Sequence, residues 1–143
     1  MRRFAFALVL PLLAGCATET PMASYVSVTD AGDVTGVVPA IAGYVSDKLP
    51  SSSKVLVEPP ATGGWDPVTP GLIAELHSRG FAVADAQHPG GAHTISYAVS
   101  PLDTGVLVRI QIDGADGASQ FLARGTAGKL QPGGPYTVRE ASR

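Results

Sequence analysis

The side chains that invite a chemical reading are few: His77, His88, His93, Ser96, Asp103 and a lone thiol at Cys16. His88 and His93 flank the run Pro89, Gly90, Gly91. Two imidazoles on a loop are half of a zinc site, which needs three or four ligands. No paired Cys, Asp or Glu stands near them, so solvated loop histidines are the expectation. Ser96, His93 and Asp103 are the residue types of a hydrolytic triad, but such types co-occur by chance in any domain of this size. His77 sits near the end of an apolar-striped segment, where an imidazolium meets the negative end of a helix. The glycine pairs beginning at 63, 90 and 133 lack the spacing of a dinucleotide loop and punctuate turns. Nucleophile elbow, phosphate loop, paired-cysteine motif and HExxH helix are all missing from the sequence. The expectation is a protein without catalytic residues, metal or cofactor, and not an enzyme.

Cys16 has a different use. The chain opens Met1, Arg2, Arg3 and then runs from Phe4 to Leu13 without a charge. Ten residues rise only about 15 Å as a helix, half of a hydrocarbon core, which suits an export signal and not a membrane span. Leu13, Ala14, Gly15 and Cys16 follow, and this run resembles the bacterial lipobox, whose small residues let a peptidase close on the backbone before a cysteine. The resemblance implies a signal peptide over residues 1–15 and a lipidated Cys16 as first mature residue. Cys16 is the single cysteine of the chain, so no disulfide competes for it. Several acyl chains, at about 0.8 kcal/mol per buried methylene, would hold such a protein at a membrane permanently.

Trp65 is the most informative apolar residue. Beside Gly63, Gly64 and Asp66, just before a helical segment, the single tryptophan is either a staple onto that helix or an exposed interface anchor.

Removing 15 of 143 residues leaves 128, one domain with one modest core. Ten Lys and Arg, less Arg2 and Arg3, leave eight against twelve Asp and Glu, a mature charge of about −4. The basic residues are scattered singly, which disfavours direct nucleic-acid binding. With no Asn and 17 Gly, turns depend on Gly, Asp and Pro.

Residues 16–35 read as the lipidated cysteine and a tether rich in Thr, Ser and Asp, in which Tyr25, Val26 and Val28 are apolar enough to dock as an extended segment, ending the flexible part near Ala23. Residues 36–143 form the single domain. Pro39, Ile41, Tyr44 and Val45 predict a helix from about Val38 to Leu49, stopped by Pro50. Lys54 to Val57 is a short β-branched strand. Asp66 as N-cap and Pro67 as first helical residue open a second helix, with Val68, Leu72, Ile73 and Leu76 on one face and Arg79, Gly80 at its end. Phe81 to Val83 continues as a strand. Alternation over Thr94–Val99 and Val106–Ile112 predicts a hairpin, followed by a strand over Gln120–Arg124 and a short one around Tyr136–Val138. The class is α+β: two helices packed on a small mixed or antiparallel sheet of four to five strands.

Several of these segments resemble the TrbH family of conjugal transfer lipoproteins: the lipobox and short tether, the helix ending at Lys48, Leu49, Pro50, and Asp66, Pro67 opening a helix that reads from Leu72 to Val83. The segments Ile95–Val99, Val106–Gly114 and Phe121–Arg124 match the family's strand pattern. The likeness covers about Tyr25 to Arg139 and is one of layout. It implies a structural outer-membrane lipoprotein of the mating-pair formation apparatus, a type IV secretion system. Its implied partners are other conjugation channel proteins of the envelope and, through the acyl chains, the membrane, with scope for a ring of copies. The helix-turn-strand layout also resembles the small N-terminal (N0-like) domains of secretins. The alternative is a periplasmic lipoprotein that binds a small ligand or peptide.

Overall fold

The computed structural model describes residues 21–27, 30–61 and 64–139. In chain order the elements are β1 (Tyr25–Val26), α1 (Ala31–Lys48), β2 (Lys54–Val57), α2 (Val68–Ser78), β3 (Ala82–Val83), β4 (His93–Leu102), β5 (Gly105–Ile112), β6 (Asp116–Arg124), β7 (Leu130–Pro132) and β8 (Thr137–Arg139). The architecture is α+β, two helices on a curled mixed sheet. The expected four to five strands are corrected to eight. The docking segment expected at Tyr25 and Val26 is β1 and the short strand expected around Tyr136–Val138 is β8, whereas β7, at three residues, is too short for alternation to be legible.

Alternation builds the core. Ile95, Tyr97 and Val99 of β4 face the same way as Val106, Val108, Ile110 and Ile112 of β5 and Ala118 and Leu122 of β6, and all are buried. Val37, Ile41 and Val45 of α1 and Val68, Leu72 and Leu76 of α2 close over them. Gly71 lets the helices approach: a Cβ there would lie 3.2 Å from a methyl of Val38.

α1 corrects the expected start at Val38, beginning seven residues earlier at Ala31 with Pro39 inside it. Gly32, Gly36 and Pro39 all argue against a helix, and Pro39 forfeits the bond its N–H would give to the Thr35 carbonyl. Tertiary contacts outweigh this. Val37 and Val38 are buried, and Asp33 in the first turn is bound to Arg124 at the end of β6. The helix ends at Lys48 because Pro50 biases Leu49 to extended backbone (φ −121°, ψ 139°).

α2 begins as expected. Asp66 Oδ1 accepts the N–H groups of Val68 and Thr69, each at 3.1 Å, so Asp66 is the capping residue with Pro67 behind it. At the other end Gly80, at φ +94°, gives its N–H to His77 O, and Phe81 gives its N–H to Leu76 O, a Schellman closure. That bond takes Phe81 out of the expected strand, leaving Ala82–Val83 to pair with Lys54–Val55.

The sheet runs β3-β2-β4-β5-β6-β7, parallel between β3, β2 and β4 and antiparallel beyond. Each of the two long strands flanking β5 carries two short partners on its far edge. β2 pairs with β4 over His93–Ile95 and β1 with Ala98–Val99. β7 pairs with β6 over Leu122–Arg124 and β8 over Gly117–Ser119. Residues 21–27, inside the expected tether, are thus bound to the domain, and residues 31–35 are the start of α1. Among the described residues no helix is long and apolar enough to cross a membrane.

Candidate interaction surface

Both helices cover one face of the sheet; among the described residues no helix covers the other, on which Ser96 and Ala98 are nevertheless buried. Pairing aligns Tyr25, Ala98, Arg109, Ser119 and Thr137 in one row across that face, and Ser96, Gln111, Gly117 and Arg139 in the next. On the opposite side of the first row lie Ser100, Leu107 and Phe121. A groove of about 430 Å³ runs over the two polar rows, lined by Met22, Arg109, Gln111, Ser119, Thr137 and Arg139 among others. Its described lining contains two arginines and no carboxylate. Tyr25, at 49 % exposure in the first row, and Leu102, at 51 % toward the other end of the face, add apolar area.

One end of this face collects polar groups. Ser96 donates to Glu58 Oε2 at 2.6 Å. Asp113 accepts from His93 Nδ1 at 2.7 Å and from the Thr94 N–H at 2.8 Å. Pro21, Glu58, Thr94, Ser96, Asp113 and Gly114 surround a smaller hollow there. Asp113 takes a left-handed backbone (φ 53°) to turn β5 into β6, which aims its carboxylate back at β4.

Ser96 donates its hydrogen bond to the Glu58 carboxylate, while His93, three residues away along β4, belongs to the other side of the strand. Asp103 lies in the β4–β5 turn at the far end of both strands. The triad types are present and not assembled. His88 is exposed and offers its carbonyl to Lys54 Nζ at 3.4 Å, His77 is exposed on the last turn of α2, and no group of three metal-ligating side chains occurs among the described residues.

Trp65 is 66 % exposed. A staple would be packed against the first turns of α2, and the indole is not buried in that way. Leu13, Ala14, Gly15 and Cys16 lie outside the described residues.

Three partly buried polar links tie the helices to the sheet. Tyr97 donates its phenol to Thr69, whose hydroxyl in turn donates to the Asp66 carboxylate that caps α2. Burial pushes the Tyr97 phenol up to about 12, with the Thr69 bond working against that rise and the Asp66 charge adding to it. Arg124 binds Asp33 with two nitrogens, at 2.7 and 2.9 Å, and the carboxylate raises the guanidinium further above its ordinary range. Tyr136 donates to the Ala40 carbonyl of α1 and stacks at a tilt on Tyr44, ring centres 5.1 Å apart; burial, with Asp47, raises its phenol. None was visible from spacing. The open face was foreshadowed by Thr94, Ser96, Arg109 and Gln111 alternating against the core residues.

In comparison with known families, the model of the family described as "Conjugal transfer protein TrbH" aligns with residues 20–141. No curated protein and no solved structure matches the chain.

Proposed function

Because the chain belongs to the TrbH family of conjugal transfer proteins, we propose that it is a non-enzymatic structural component of a conjugative type IV secretion apparatus, held by acylated Cys16 in the outer membrane and facing the periplasm. The family match over residues 20–141 carries this reading. The lipobox of Leu13 to Cys16 supports the anchor, and Ala17 after the cysteine, where an aspartate would favour inner-membrane retention, supports the sorting. The uncovered sheet face and exposed Trp65 are surfaces suited to docking on other conjugation channel proteins. Assembly into a ring of copies is part of the same proposal. Deleting the gene should sharply lower plasmid transfer and restoring it should recover transfer; transfer unaffected by the deletion would overturn the reading.

A second reading, a periplasmic lipoprotein that binds a small ligand or peptide, has the groove beneath Arg109 and Arg139 in its favour. Its volume of about 430 Å³ falls in the range of small-molecule sites. Screening the soluble domain against acidic peptides by calorimetry separates the two.

A further inference from the structure

The N-terminal segment is fastened to one end of the sheet. The Met22 N–H donates to Gln111 Oε1 at 2.7 Å, and the same side-chain amide donates to the Gly114 carbonyl at 2.8 Å. Gln111 therefore clasps the incoming chain to the β5–β6 turn. Pro21 lies against that turn: a Cβ on Gly114 would be 3.7 Å from Pro21 Cβ. The chain then runs along β4, accepting the Tyr97 N–H on Ser24 Oγ at 3.2 Å and giving the Ser27 N–H to Val99 O at 2.9 Å.

Covalent geometry does the rest. Cys16 and Pro21 are five Cα steps apart in sequence, a reach of at most about 18 Å. The opposite turn, Asp103–Thr104, lies beyond β5, whose eight residues span roughly 24 Å. Building on the lipid anchor proposed above, we infer that the domain stands end-on at the membrane, with the Asp113–Gly114 turn toward the lipid headgroups and the Asp103–Thr104 turn away from them. The partner at the near end is a phospholipid surface. The exposed groups there, Glu58, Asp113 and His93, are polar and ionisable, so that end meets hydrated headgroups and does not insert. The open sheet face then rises from the membrane and is approached from the side, where a neighbouring protein can take it.

The test uses the full mature chain, acylated in cells, purified and reconstituted in phosphatidylethanolamine–phosphatidylglycerol vesicles containing a lipid with a nitroxide headgroup. Acylation of Cys16 is established by mass spectrometry, and a fluorophore is placed on a single introduced thiol, Ala115→Cys or Thr104→Cys. Both positions are exposed turn residues at opposite ends of β5. Quenching at 115 should exceed that at 104 several-fold. A 20-residue Gly-Ser insertion after Glu19 extends the root-mean-square reach to roughly 27 Å and should shrink the difference. Equal quenching of acylated, vesicle-bound protein, as for a domain lying on its sheet face, or stronger quenching at 104, overturns the orientation alone. A chain that proves unacylated and fails to bind vesicles overturns the anchor and the orientation with it.

Discussion

Tyr97, fully buried in the middle of β4, donates its phenolic hydrogen to Thr69 in the first turn of α2, and through Thr69 it reaches the carboxylate of Asp66. The helix cap and the sheet are thereby one hydrogen-bonded unit. The Tyr97 phenol, raised from 10.0 to about 12, keeps its proton in the folded state where the unfolded chain loses it. Its contribution is fully present below pH 10 and is lost as pH rises through about 12, roughly 2–3 kcal/mol in all. Tyr136, raised as well, acts in the same direction. Urea midpoints measured from neutral to strongly alkaline pH should fall in that window. Tyr97→Phe should cost about 1 kcal/mol at neutral pH and flatten much of the alkaline fall; an undiminished fall would show that Tyr97 does not cause it.

The Asp33–Arg124 pair joins the first turn of α1 to the last residue of β6, and its two ends are unequal. The Asp33 side chain is 1 % exposed and that of Arg124 32 %. Removing Arg124 leaves a carboxylate buried without its cation, whereas removing Asp33 leaves a guanidinium that water can reach. Arg124→Ala should therefore lower the melting temperature more than Asp33→Ala, and the double variant should resemble Asp33→Ala. A ranking in the other order would mean that the helix-end position of Asp33 matters more than the pair.

Two glycines four residues apart in α1 should respond oppositely to one methyl group. At Gly32 an added Cβ meets nothing within 4 Å, and at Gly36 it would lie 2.7 Å from Leu130 Cβ in β7. Gly32→Ala should stabilise by about 0.5–1 kcal/mol through helix propensity. Gly36→Ala gains the same propensity but must push β7 away, and should destabilise by about 1–3 kcal/mol. Thermal denaturation of the two variants checks the close approach of α1 to β7 directly.

Legibility followed length and period. The hairpin of β4 and β5 was readable because Ile95, Tyr97, Val99 and Val106, Val108, Ile110, Ile112 alternate over enough residues to define a face. α2 was readable because Asp66, Pro67 and Gly80 mark both of its ends. The first two turns of α1 were hidden by Gly32, Gly36 and Pro39, residues that local propensity assigns to loops and that packing against Leu130 and pairing with Arg124 overrule. β7 exists because β6 offers it an edge, which no property of its own three residues announces, whereas β1 and β8 fall at the docking segment expected at Tyr25 and Val26 and at the short strand expected around Tyr136–Val138. His93–Asp113 and Ser96–Glu58 join groups 20 and 38 residues apart, so neither pairing has a sequence signature.

Cys16→Ala removes the thiol that the lipobox presents. Metabolic labelling with a fatty acid should mark the wild-type chain and leave the variant unmarked and uncleaved by the lipoprotein peptidase. Separating the two membranes should place the wild type in the outer one, as expected with Ala17 and not aspartate at the following position. Label on the variant would sink the anchor.

Trp65 tests docking apart from folding. Burial of an aromatic side chain in a core is worth several kcal/mol, and a tryptophan that is 66 % exposed contributes only a small part of that to its own fold. The α2 terminus beside it is secured independently, by Asp66 on the backbone and by Thr69 and Tyr97 behind it. Trp65→Ala should therefore shift the melting temperature by little and leave protein abundance unchanged. If a channel protein covers the indole, truncation should cost ~2 kcal/mol or more of that contact, about thirtyfold in affinity. Co-purification with other conjugation proteins and plasmid transfer should then both fall. A normally folded variant with normal transfer would exclude Trp65 as an anchor and leave the open sheet face around Arg109 and Arg139 as the surface to mutate next.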